Sequence, residues 1–98
     1  MKYYSLNHNS KPCSFADAVK KGLAPDRGLY FPEKIPILPK KFFNEIQDQS
    51  IPEMAFKVIK PFIGKQINNN KLLEIVKETL DFKFPVVEIT KNIAALEL

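Results

Sequence analysis

The sequence predicts a small, mainly helical α+β domain with about four helices, a short N-terminal strand and a C-terminal β-hairpin. Three observations carry that expectation. Helix-start signals at Ser14 and Ser50 precede apolar residues spaced three and four apart, and β-rich runs lie at the two ends of the chain. The 98 residues, 45% of them hydrophobic, can bury one modest core, so residues 1–98 are expected to form one domain.

Residues 2–6, "KYYSL", are rich in β-formers and read as a strand, followed by a polar turn through Asn7, His8, Asn9 and Ser10. Ser14 with Asp17 three residues on forms a variant capping box. The serine oxygen accepts a free backbone N–H, and the carboxylate favours the positive end of the helix. Phe15, Ala18, Val19 and Leu23 then share an apolar face, and Gly22 stands where a left-handed residue ends the helix.

The next stretch, "GLAPDRGLYFPEKIP", mixes aromatics with prolines and glycines. Pro25 to Gly28 reads as a tight turn, with Gly28 adopting a conformation that a side chain would strain. Pro32, Pro36 and Pro39 deny backbone donors and bias the residues before them away from helix. The segment "GLYFPEKIPILP" is therefore expected to run extended, as a strap carrying Leu29, Phe31, Ile35, Ile37 and Leu38.

Pro39 is placed to open a short helix over 39–49 with Phe42, Phe43 and Ile46 on its apolar edge. Ser50 with Glu53 repeats the capping-box logic, and Ile51, Met54, Ala55, Val58, Ile59 and Phe62 make the strongest helical stripe in the chain. Met54 and Ile59 are expected to be buried, in a core made by the three helices after Pro39. Pro61 should kink or end this helix, with Gly64 closing it. Asn69 or Asn70 caps a last helix bearing Leu72, Leu73, Val76 and Leu80. After Pro85, residues 86–89 and 93–98 form a hairpin around Thr90, Lys91 and Asn92. The run "IAALEL" is still strand-like at Leu98, which suggests a chain cut within or at the end of a strand.

Composition narrows the chemistry. The charge of +4 comes from fourteen scattered lysines and one arginine against eleven acids, with no basic stripe, so no nucleic-acid partner is expected. No apolar run approaches ~18 residues, so no membrane partner is expected, and the lone Cys13 fits a reducing cytoplasm. Cys13 and the lone His8 are read as a small buried or half-buried thiol and a solvated turn residue, not as a nucleophile–base pair or a zinc site.

The segments "MKYYS", "SFADAVKKGLAPDRGLYFPEKIP", "MAFKVIKPFIG", "FPVVEI" and "LEL", in this order, resemble the N-terminal domain of bacterial threonine synthase over essentially the whole chain. Arg27 departs from the pattern, since many members carry a second glycine there. The resemblance implies a pyridoxal 5'-phosphate enzyme of the tryptophan-synthase β-like fold. Such an enzyme, a carbon–oxygen lyase acting on phosphate, converts O-phospho-L-homoserine and water to L-threonine and phosphate. In the family a motif of the form Phe-His-Gly-Pro-Thr-x-x-Phe-Lys comes after "LEL" and supplies the cofactor lysine. No catalytic, cofactor-binding or metal-binding residue is therefore expected among these 98, which would be structural by themselves. The implied partners are the C-terminal catalytic domains of the same chain. The candidate docking residues are Leu29, Tyr30, Phe31, Leu96 and Leu98, although the strap could instead cover the domain's own helices. The other reading is a free-standing interaction module that uses the hairpin edge and the proline strap.

Overall fold

In a computed structural model, which describes residues 1–98, the elements run in the order β1 (Tyr3–Ser5), α1 (Phe15–Lys21), β2 (Tyr30–Pro32), α2 (Lys40–Asn44), a 3-10 turn at Ile46–Asp48, α3 (Ile51–Ile63), α4 (Asn69–Thr79), β3 (Val86–Thr90) and β4 (Ile93–Leu96). This is the small α+β arrangement expected, with four α-helices and a C-terminal hairpin.

The N-terminal strand is not alone. β1 pairs antiparallel with β2, setting Tyr3 opposite Pro32, Tyr4 opposite Phe31 and Ser5 opposite Tyr30. The first part of the proline strap is thus the second strand of a small ribbon. On its other edge Tyr3 exchanges two backbone hydrogen bonds with Cys13, of 2.9 and 2.8 Å. The Tyr3 hydroxyl donates to the Phe62 carbonyl at 2.8 Å, in the last turn of α3. The Ala16 N–H donates to Gln66 Oε1 at 2.8 Å, tying α1 to the connection between α3 and α4.

Local signals set the helix ends. Ser14 Oγ accepts the Asp17 N–H at 3.1 Å and donates to its carboxylate at 2.6 Å. Gly22, at φ 71°, stops α1 with its N–H on the Ala18 carbonyl. At α3 the capping box is complete, with the Ser50 N–H on Glu53 Oε2 at 2.8 Å and the Glu53 N–H on Ser50 Oγ at 3.4 Å. Three expectations shift. Pro61 lies inside α3 and does not end it, because a proline removes only one ladder bond near an end; the helix runs to Ile63 and Gly64 closes it as expected. Pro39 caps α2 from outside, and the expected 39–49 helix divides into α2 and the 3-10 turn. Asn68, not Asn69 or Asn70, caps α4, its Oδ1 accepting the Lys71 N–H at 2.8 Å.

The core lies between α3 and α4, where Ile63, Leu72 and Val76 are buried, with Phe15 of α1, Ile59 and Leu80 packed around them. It therefore draws on α1 and not on α2, whose Phe42 is buried apart from this cluster. Met54 and Ile59 are half-buried, not buried; Ile59 packs beside the buried cluster without being enclosed by it. Val19, Leu23, Phe43, Ile46, Ile51 and Val58, all assigned to apolar faces, are exposed.

The hairpin projects from this body. Val86 pairs with Leu96, Val87 with Ala95, Glu88 with Ala94 and Thr90 with Ile93, with an irregularity between Glu88 and Thr90. β4 ends at Leu96, although the Glu97 N–H still reaches the Pro85 carbonyl at 3.0 Å, and every β3 residue is exposed. The radius of gyration, 16.8 Å, exceeds the ~13 Å of a compact chain this long, and the molecule measures 48 × 33 × 27 Å. No helix is long and apolar enough to cross a membrane.

Candidate domain-docking surface

The loop before β2 is held by one carboxylate. Asp26 Oδ1 accepts the Ser5 hydroxyl at 2.6 Å and the Gly28 N–H at 3.0 Å, and Oδ2 accepts the Asn9 N–H at 2.9 Å. The Asp26 backbone adds two bonds, its N–H to Ser10 Oγ at 3.2 Å and its carbonyl from Asn7 Nδ2 at 3.0 Å. The Ser5 hydroxyl above all, then the Gly28 and Asn9 N–H groups, keep this carboxyl below the usual carboxylate range against desolvation. The turn after β1 and the loop before β2 are thereby fastened into one unit.

Two residues of that loop exchange the roles expected of them. The left-handed conformation falls on Arg27, at φ 66°, and not on Gly28. Gly28 is required by close approach, because a Cβ there would overlap Ser5 Oγ and stand 3.0 Å from the Asn7 backbone nitrogen. With Ser5 completely buried, neither partner can step aside.

The ribbon then distributes the next three candidate side chains. Leu29, 61% exposed, bridges Leu23 and shares a groove of about 240 Å³ with Val19 and Tyr30. Tyr30 points inward on the Tyr3 and Ser5 side of β2. Its buried hydroxyl lacks a hydrogen-bond partner and lies next to the Cys13 thiol, and desolvation first, then that thiol, push its pKa up. Phe31 is on the opposite side, 41% exposed, its ring edge-on to Tyr4 at 6.1 Å, and Tyr4 in turn stacks on His8 at 5.2 Å. Strand alternation thus sends Tyr30 and Phe31 to opposite faces.

Leu96 and Leu98 lie in and just beyond β4, 59% and 90% exposed, and no strand pairing joins their sheet to the first. Sequence reasoning missed Val19 and Leu23, which extend the apolar surface around Leu29. Their place in the α1 stripe argued for burial, and only the position of β2 shows otherwise. No group of three His, Cys, Asp or Glu side chains is close enough to hold a metal ion.

This surface can bury apolar area against another body, and it offers no reactive group beyond one half-buried thiol. The family model described as threonine synthase N terminus matches residues 2–80. The chain is 35% identical over 99 residues to a threonine synthase of Buchnera aphidicola subsp. Baizongia pistaciae, covering 100% of this chain and 23% of that protein. In structure it is similar to threonine synthase from Escherichia coli, with a TM-score of 0.89 and 31% identity over 99% of this chain and 23% of that one. The pyridoxal-phosphate-bound threonine synthase from Brucella melitensis gives 0.88 and 31%, over 99% and 22%. The chain spans under a quarter of the length of these relatives, and nothing in them supports a free-standing interaction module.

Proposed function

Since the chain belongs to the threonine synthase family, by the family's N-terminal region, we propose that residues 1–98 form one structural domain that docks onto the catalytic part of such an enzyme. The whole enzyme would convert O-phospho-L-homoserine and water to L-threonine and phosphate. In this reading Leu29 and Phe31 on the ribbon, and Leu96 and Leu98 on the hairpin, meet the larger part of the chain, while Tyr30 braces the ribbon from within. The observation that carries it is the hairpin. A two-stranded hairpin alone is marginally stable in water, and this one is apolar and uncovered, with Val86, Ile89, Ile93 and Leu96 all exposed.

The residues here do not fit pyridoxal phosphate. Its phosphate calls for free N–H groups at a helix start or a glycine-rich loop, yet Ser14, Ser50 and Asn68 cap α1, α3 and α4, and the three glycines lie at two helix ends and against Ser5. Lys60 is the only lysine not exposed, and it donates to the Ile67 carbonyl at 3.3 Å. We therefore assign the cofactor and its lysine to the rest of the enzyme.

Hydrogen exchange tests the docking. In the 98-residue chain the amides of β3 and β4 should exchange nearly as fast as in an unstructured peptide, while those of α3 and α4 are protected. In the complete enzyme both sets should be slow. Equal hairpin protection in the two would reject the reading. A second arm uses the complete enzyme, where Phe31→Ala should lower kcat/KM more than it lowers melting temperature.

A further inference from the structure

A second concave site lies away from the docking surface, between α2 and α3, and we propose that it binds a small amphipathic anion, an alkyl or aryl carboxylate. The cleft holds about 510 Å³, within the range of small-molecule sites. Phe42 and Phe56 give it an apolar floor, the exposed Ile37 stands at its edge, and Pro39 and Pro61 stiffen its walls.

Its rim is cationic. Lys41, Lys57 and Lys60 line it against the single carboxylate Glu45, so three positive charges less one negative leave two in excess. Glu45 pairs with Lys41 at 3.8 Å, which assigns the excess to Lys57 and Lys60, three residues apart on one side of α3. Neither forms an ion pair: Glu53, one turn before Lys57, feels the Lys57 charge, but its carboxylate is bonded to the N–H and hydroxyl of Ser50, both at 2.8 Å. Both are nonetheless held in place by neutral acceptors. Lys57 Nζ donates to Gln49 Oε1 at 2.5 Å and Lys60 Nζ to the Ile67 carbonyl at 3.3 Å. Gln49 is fixed in turn, its Nε2 donating to the Phe42 and Glu45 carbonyls at 3.3 and 3.1 Å.

An apolar floor with two positioned ammonium groups at its rim, neither in an ion pair, suits a ligand with a hydrocarbon body and one anionic end. A neutral apolar molecule would leave the charges without a counterion, and a bare anion would leave the floor wet.

The test is an amide-resolved NMR titration of the 98-residue chain with octanoate, octan-1-ol and acetate. Octanoate should saturate shifts at Ile37, Phe42 and Phe56, with octanol and acetate at least about tenfold weaker. Lys57→Met with Lys60→Met should bring octanoate to the level of octanol while the spectrum stays dispersed. Lys57→Met alone serves if the double variant does not fold, with a smaller loss in the same direction. Equal affinity for octanoate and octanol, shifts centred on the α3–α4 groove at Ile59 and Ile75 or on the hairpin, or no saturable shift would each overturn the proposal.

Discussion

Replacing Gly28 by Ala tests whether this glycine serves close packing or turn geometry. Its φ lies outside the left-handed region, so the backbone conformation itself accepts alanine. The added methyl, however, would overlap Ser5 Oγ, and Ser5 cannot move without giving up its 2.6 Å bond to Asp26. Forcing one methyl into a filled site costs ~1–3 kcal/mol. Against the ~5 kcal/mol at the low end for natural domains, fitting for a chain with nine buried residues, that is a large fraction. A double-mutant cycle with Ser5→Ala isolates the cause. Ser5→Ala alone destabilises by releasing Asp26, and the double variant should cost less than the sum of the singles by ~0.5–3 kcal/mol, because the overlapping oxygen is gone. Relief stays partial, since the Asn7 nitrogen remains 3.0 Å from the new methyl. Urea denaturation followed by circular dichroism at 222 nm supplies all four values. A neutral Gly28→Ala, or strict additivity, would refute the reasoning.

Other outcomes rest on the same structure. Arg27→Gly removes a side chain from a left-handed position and should be neutral or stabilising by up to ~1 kcal/mol in urea melts, despite glycine's greater unfolded-state entropy. Leu72→Ala, 2% exposed at the centre of the core, should cost ~3 kcal/mol, and the half-buried Ile59→Ala distinctly less in the same melts; the reverse order would misplace the core. Asp17, Asp26 and Glu53 all have folded pKa values below their ordinary ones, held there chiefly by bonds from Ser14, Ser5 and Ser50. Their contribution is present above the unfolded range near pH ~4 and is lost as pH falls through the lower folded values, so melting temperature should drop from about pH 4 downward, and less steeply in Asp26→Asn. Tyr30→Phe, which deletes a buried hydroxyl without a partner, should leave thermal stability unchanged or raise it.

The features legible in the sequence were the local ones. The caps at Ser14 and Ser50 and the stop at Gly22 depend on residues within four positions, and they stand as read. In the run Asn68-Asn69-Asn70 the three side chains are chemically identical, so the choice of Asn69 or Asn70 had no local basis against Asn68, which is the cap. The pairing of β1 with β2 was not legible, because its partners are separated by a helix and a loop and neither strand exceeds three residues. Helical periodicity marks which residues share a face but not whether a neighbour covers it, which is why Val19, Ile51 and Val58 lie on apolar faces and are nonetheless exposed. Gly28 shows the same boundary, since its constraint comes from Ser5, twenty-three residues earlier in the chain.

The bond from the Tyr3 hydroxyl to the Phe62 carbonyl sets an order on biosynthesis. A ribosome delivers the chain in order at roughly 5–20 residues per second, so β1 emerges before β2 and can pair with it once residue 32 is free. Tyr3 must then wait a further thirty residues for the carbonyl that it caps, a delay on the order of seconds. During that interval the nascent ribbon displays the Tyr3 ring to whatever lies near the tunnel exit. The last turn of α3 is therefore completed by a strand made some sixty residues before it.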